Sequence, residues 1–191
     1  MSRHARSVWQ AGWRIAWLLV CAGLAAGARA DDPVPDTRDD AAPPVRVKAG
    51  YLYKFGAFVE GPGRAFGSAD APLVIGELEA DALADELALV VGGRSVQGRP
   101  IAVRRLRAGD PVTGVHVLYL GRGASARPPD DLPLLTVADE DLPTTTACVI
   151  RFVRVDSRLR FVVFLRRAQA AGLLVSARLL AVALKVDGEA P

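Results

Sequence analysis

The chain is poor in the residues from which active sites and metal centres are usually built. Its 191 residues include two cysteines and two histidines. One of each, His4 and Cys21, falls in the first 30 residues. His116 and Cys148 remain. They cannot form an intrachain disulfide, and without several carboxylates they cannot hold a transition metal. No glycine-rich phosphate loop or dinucleotide fingerprint occurs. Ser68, Ser95, Ser125, Ser157 and Ser176 all lack the context of a nucleophile elbow. Beyond residue 30 no apolar run approaches the roughly 20 residues needed to span a bilayer. These absences exclude a disulfide scaffold and a zinc module, and they leave no catalytic, metal or cofactor residue to nominate. The expected protein is not an enzyme.

Acids are also missing at the start. Residues 1–30 hold Arg3, Arg6, Arg14 and Arg29 and no carboxylate. An apolar run, residues 15–27, follows the early basic residues. Ala28-Arg29-Ala30 then precedes Asp31 and Asp32. This is the layout of a secretory signal peptide, with cleavage expected after Ala30 and a bacterial periplasm as destination. The formal net charge of +3 belongs to that segment: the rest of the chain holds 20 basic and 21 acidic residues. Nucleic acid is therefore not an expected partner, and no direct membrane insertion is expected after cleavage. Residues 31–44, DDPVPDTRDDAAPP, are acidic, proline-rich and lack large apolar side chains, so they read as a flexible leader. The domain is expected over residues 45–187.

Within it, Val47, Tyr51, Leu52, Phe55, Phe58 and Val59 recur at helical spacing, with Lys48, Lys54 and Glu60 off the apolar face. Gly61-Pro62-Gly63 stops that helix. Residues 71–79 read as a buried strand and 80–93 as a helix ended by Gly92-Gly93. Strands are expected over 99–107, 114–121, 131–139, 147–156 and 158–165, the last two joined by a tight Asp156-Ser157 hairpin. Residues 166–186 read as two short helices split at Gly172, with Ser176 capping the second. Alternating helices and continuous apolar strands predict a single α/β domain. Its sheet is mixed and mostly parallel, flanked by helices, with a C-terminal antiparallel hairpin.

Three features remain. His116 and Cys148 sit in apolar strands and read as packing residues. Asp139, Glu140 and Asp141 follow a strand, where α/β folds bind ligands, or else form a solvated acidic loop. Arg158 and Arg160 share a strand face by period two. They read equally as a contact for an acidic partner or as a charged edge that resists aggregation.

The motifs as a set resemble the YfiR-like family of periplasmic proteins. VKAGYLYKFGAFVEGP (47–62) is similar to the family's opening VKAAYLYxFxxFVxWP. LVIGELE (73–79), GRPIAVRRL (98–106), GVHVLYLG (114–121), LLTVADEDL (134–142), VIRFVRVDSRLRFVV (149–163) and AGLLVSARLLAVA (171–183) follow in the family's order. The resemblance implies a small repressor, often dimeric. It would bind the periplasmic region of an inner-membrane diguanylate cyclase and lower cyclic di-GMP, so restraining biofilm formation. Beside the matched motifs, Tyr51, Lys54, Glu60, Arg158, Arg160 and Arg178 are the expected partner contacts. A homodimer is a further expected association. The alternative is a periplasmic small-ligand binding protein coupled to a transporter or sensor kinase, with its pocket near Asp139. The sequence departs from the pattern at three places. Gly61 stands for the family's tryptophan, Val115 for the cysteine before His116, and Val162 and Phe164 for an acid and an amide. Redox sensing through a disulfide within one chain is thereby excluded.

Overall fold

A computed structural model describes residues 44–68, 70–125 and 132–188. The expected signal peptide (1–30) and all of the leader except Pro44 lie outside the described residues. Among the described residues are four α-helices, α1 (Pro44–Phe58), α2 (Asp81–Val91), α3 (Leu165–Ala170) and α4 (Ala177–Val182), and a 3-10 turn at Gly63–Ala65. The strands are β1 (Val59–Glu60), β2 (Leu73–Leu78), β3 (Ser95–Val96), β4 (Arg99–Leu106), β5 (Val117–Leu120), β6 (Leu135–Ala138), β7 (Ile150–Val155), β8 (Arg158–Phe164), β9 (Leu174–Val175) and β10 (Lys185–Asp187). The fold is α/β and a single domain, as the alternation of patterns predicts. Strands β2 and β4 to β8 lie within the segments read as strands. The sequence pattern did not disclose β1, β3, β9 or β10, because two or three residues are too few to show a period.

Eight strands form one sheet in the order β10-β8-β7-β6-β5-β2-β4-β3, and β1 pairs with β9 in a separate ribbon. The pairs β2–β4, β2–β5, β5–β6, β6–β7 and β8–β10 are parallel, whereas β7–β8 and β3–β4 are antiparallel. From β2 the chain steps one way to β4, then crosses back over β2 and steps the other way through β5, β6 and β7. Parallel crossovers are right-handed almost without exception, so steps in opposite directions must cross on opposite faces. The packing follows this rule. Helix α2 joins α1, α3 and α4 on a first core through Leu83, Leu87, Val91, Leu52, Phe55, Ala168 and Leu179. A second core, on the other face, is closed by the connecting segments instead, through Val112, Val115, Leu134, Leu142 and Cys148. The flanking helices therefore serve one core, and no helix contributes to the other among the described residues.

The first helix is a core helix. Phe55 is fully buried and its ring lies 5.0 Å from that of Phe161 and 5.8 Å from that of Phe152. Asp156 and Ser157 both adopt positive φ, +48° and +61°, which is the primed turn that a two-residue hairpin demands. Ser176 caps α4, accepting from the Arg178 amide at 3.3 Å. Cys148 is buried, and burial pushes its thiol above the ordinary range, so a link to a second chain would require the domain to open. His116 is half-buried just ahead of β5. Its Nδ1 accepts from the Val74 amide at 3.0 Å, while Nε2 donates to the Ala65 carbonyl at 3.1 Å. The ring stacks on Phe66 at 4.1 Å. Burial, helped by the Arg99 charge, lowers its pKa and keeps the imidazole neutral for this bridging role.

One core residue is anomalous. Glu77, the penultimate residue of β2, is 1% exposed, and neither carboxyl oxygen has a partner among the described residues. Burial raises its pKa well above the ordinary carboxylate range. The group is therefore protonated in both states below about pH 4.3, and its cost appears as pH rises and the unfolded chain ionises first. Glu77→Met is expected to stabilise the protein by about 1–3 kcal/mol near neutral pH, with the gain shrinking toward pH 4. Denaturant midpoints of both proteins across pH would check this, and a gain independent of pH would refute an unpaired carboxyl.

Candidate functional site

The reversal of chain direction at β2 and β5 creates a crevice beyond their C-terminal ends. In open α/β sheets this is where ligands bind. Here it is an open cavity of about 340 Å³. Glu79 and the first turn of α2 form one wall, and Gly121 and Arg122 after β5 form the other. Tyr119 and Asp139 close the base, and Val45 and Lys48 of α1 lean over it.

Its polar groups are positioned from four elements. Lys48 Nζ donates to Asp139 Oδ2 at 2.8 Å and lies 3.7 Å from Glu140. The Tyr119 hydroxyl also donates to Asp139 Oδ2, and the Asp141 amide donates to Oδ1 at 3.0 Å. Burial pushes Asp139 up, but the bonds from Lys48, Tyr119 and the Asp141 amide outweigh it and hold the carboxyl below its usual range. Burial and the same bond push the Tyr119 phenol up, so it stays protonated. Arg122 pairs with Asp141 and Arg154 with Glu140. The acidic run after β6 is thus neither a bare solvated loop nor a lone cluster, since each of its three acids is ion-paired to a different cation.

The rim is tightly built. Glu79 adopts φ +54°, a left-handed conformation costly for a residue with a side chain. It is held there by its amide, which donates to Leu106 O at 3.2 Å, and by its carboxylate, which accepts from the Ala108 amide at 3.0 Å. A side-chain carbon at Gly121 would stand 2.5 Å from the Glu79 carbonyl oxygen, so only glycine lets the two walls approach. On α2, Ala80 O accepts the amides of Leu83 and Ala84, both at 3.0 Å, whereas those of Asp81 and Ala82 have no acceptor among the described residues.

The six expected partner contacts fall into two groups. Tyr51 is half-buried, its ring packed 5.6 Å from Phe161 and 5.8 Å from Phe152. Lys54 is exposed on α1, Glu60 is exposed on β1 opposite the exposed Leu174 of β9, and Arg178 is exposed on α4. These elements adjoin, since the Ser176 amide donates to Phe58 O at 3.0 Å. Arg158 and Arg160 share one face of β8, but it is the face opposite α1. Their strand neighbours Leu159 and Phe161 are the ones that reach the first core. Gly61 is exposed and a side-chain carbon there would meet only Leu173, at 3.7 Å, so the backbone does not itself require glycine at this position.

Sequence reasoning missed Lys48 and Tyr119. Lys48 reads as a solvent residue beside the apolar stripe of α1, yet only 13% of its side chain is exposed. Its partner lies 91 residues away, and no local pattern records such a pair.

The YfiR/HmsC-like family model matches residues 45–184, and the chain belongs to that family. Its members are periplasmic regulators rather than enzymes. No curated protein matches the chain. No helix among the described residues is long and apolar enough to cross a membrane.

Lys48→Met leaves Asp139 without its cation and is expected to cost about 1.5–3 kcal/mol at pH 7. Asp139 has a lowered folded pKa, so its contribution is present above the unfolded value near 3.9 and is lost as pH falls through the folded one. The difference between wild type and variant, followed by denaturant unfolding, is therefore expected to close toward pH 3. Equal midpoints at pH 7 would show that the pair contributes nothing net.

Proposed function

We propose that this YfiR/HmsC-like protein is a periplasmic regulator that represses an inner-membrane signalling enzyme, a diguanylate cyclase, by direct contact with its periplasmic region, so lowering cyclic di-GMP. The observation that carries the reading is the family match, which runs from α1 to the residue before β10. The adjoining α1, β1–β9 and α4 surface supports it, because Tyr51, Lys54, Glu60 and Arg178 stand there beside the exposed Leu174. Arg158 and Arg160, the other two expected contacts, stand on the opposite face and would form a contact separate from this surface. A second copy of the chain is a further proposed partner.

A tagged form of the protein, used as bait with solubilised inner membranes, is expected to recover a protein with a cytoplasmic cyclase domain. Recovery of a transporter or sensor kinase would move the function to another pathway. Reversing two charges together, Lys54→Glu with Glu60→Lys, is expected to weaken recovery about tenfold or more, since rim charges set encounter and specificity. Undiminished recovery by the folded double variant would remove this surface from the contact.

The crevice favours a second reading, in which a small polar ligand binds at the ends of β2, β5 and β6. Its volume lies within the range of small-molecule sites, about 300–1,000 Å³. Titration calorimetry with pooled periplasmic metabolites is expected to give heat with the wild type and none with Gly121→Val, whose side chain would part the walls. Heat from neither protein would discard this reading.

A further inference from the structure

Charge is unevenly placed along the domain. Residues 45–150 hold 11 basic and 13 acidic side chains, whereas residues 151–187 hold eight basic and two acidic. That second segment builds the β7–β8–β10 edge of the sheet together with α3 and α4. Arg158, Arg160, Arg166 and Arg178 have no side-chain hydrogen bond or ion pair among the described residues. Of the two acids, Asp187 is held by Lys185 at 3.1 Å, and Asp156 sits in the hairpin turn.

Strand register decides which side chains share a face. Val153 pairs with Arg160, Val155 with Arg158, and Arg151 with Val162, while Lys185 of β10 pairs with Val162. Paired residues point the same way. One face of this edge therefore carries Val153, Val155 and Val162 interleaved with Arg158, Arg160 and Lys185, while Arg151 on that face is buried and Asp187 is paired with Lys185. None of the three valines belongs to either hydrophobic core, and Val155 is 39% exposed.

We propose that this valine–arginine face of β7, β8 and β10 is a docking surface for an anionic phospholipid bilayer, which it meets peripherally, without inserting a span. Two observations favour lipid over a protein surface. The apolar groups are short aliphatics, and the cores of protein interfaces are instead enriched in aromatic residues and methionine. The cations are mainly arginines without internal partners, spread over a sheet face rather than gathered in a pocket. Guanidinium groups bind phosphate through two bonds at once and are weakly hydrated, which suits a headgroup layer. Aliphatic side chains between them reach the boundary of the acyl region. The surface is distinct from the α1 and α4 contact, and the inference does not depend on which enzyme is regulated. A protein docked this way would search for a membrane-bound target in two dimensions.

The test is co-sedimentation of the purified protein with vesicles of phosphatidylcholine alone and of phosphatidylcholine with phosphatidylglycerol. Binding is expected only to the anionic vesicles, and it should fall as salt screens the charges. The double variant Arg158→Gln/Arg160→Gln is expected to bind on the order of thirtyfold more weakly, at about 1 kcal/mol for each basic residue near the surface. Lys54→Gln, with its charge on α1, is expected to bind as the wild type does. Circular dichroism establishes that each variant is folded. Absence of binding to anionic vesicles would overturn the proposal, as would equal loss from Lys54→Gln. Loss of the membrane-protein partner by the arginine variant, without any vesicle binding by the wild type, would assign the face to a protein instead.

Discussion

The handedness of parallel crossovers governs this molecule more than any single contact. Because the chain leaves β2 in one direction and β5 in the other, right-handed connections must pass over opposite faces. A helix-built core and a loop-built core follow from that requirement. So does the gap at the strand ends where the two paths diverge. Lys48 then has a defined task, which is to tie α1 across the gap to the acids after β6. Remove the reversal, and neither the crevice nor the need for a buried cation at position 48 would exist.

Much of this architecture is legible in the sequence. The six longer strands, the core role of α1, the Asp156-Ser157 turn and the Ser176 cap all rest on short-range chemistry, namely apolar period, turn geometry and capping. The crevice was only half legible. A strand ending in Asp139-Glu140-Asp141 pointed to the right end of the sheet, but the cations that neutralise those acids come from α1, from the loop after β5 and from β7. Long-range pairing leaves no periodic trace. Glu77 is the reverse case. Its place in an apolar run correctly marked a buried strand, and the same burial makes its carboxyl the outlier of the first core.

The two polar regions solve opposite electrostatic problems. At the crevice, the three acids after β6 are each matched by a cation, so little net field escapes from them. At the C-terminal edge, Arg158, Arg160, Arg166 and Arg178 are left unmatched, and the field is directed outward. Burial without pairing is costly and exposure without pairing is nearly free. The buried Lys48–Asp139 pair and the exposed, unpaired Arg158, Arg166 and Arg178 obey this rule, and Glu77, buried and unpaired, breaks it. That arrangement lets one small domain hold an ion-paired crevice and present a charged face without either compromising the other.

The two-residue turn between β7 and β8 also bears on how the sheet assembles. These strands pair over six residue positions once a very short loop is closed. Every parallel neighbour must first bring together ends separated by a whole crossover, at a greater entropic cost. Hairpins of this kind close in about 1–10 μs. The hairpin is therefore the natural seed, to which β6 adds on one side and β10 on the other. Asp156 and Ser157 pay a conformational penalty that glycine would avoid, so the seed is slower to form than it need be. Sheet order follows chain order from β5 through β8, and the rest of the molecule condenses around the hairpin that ends this run.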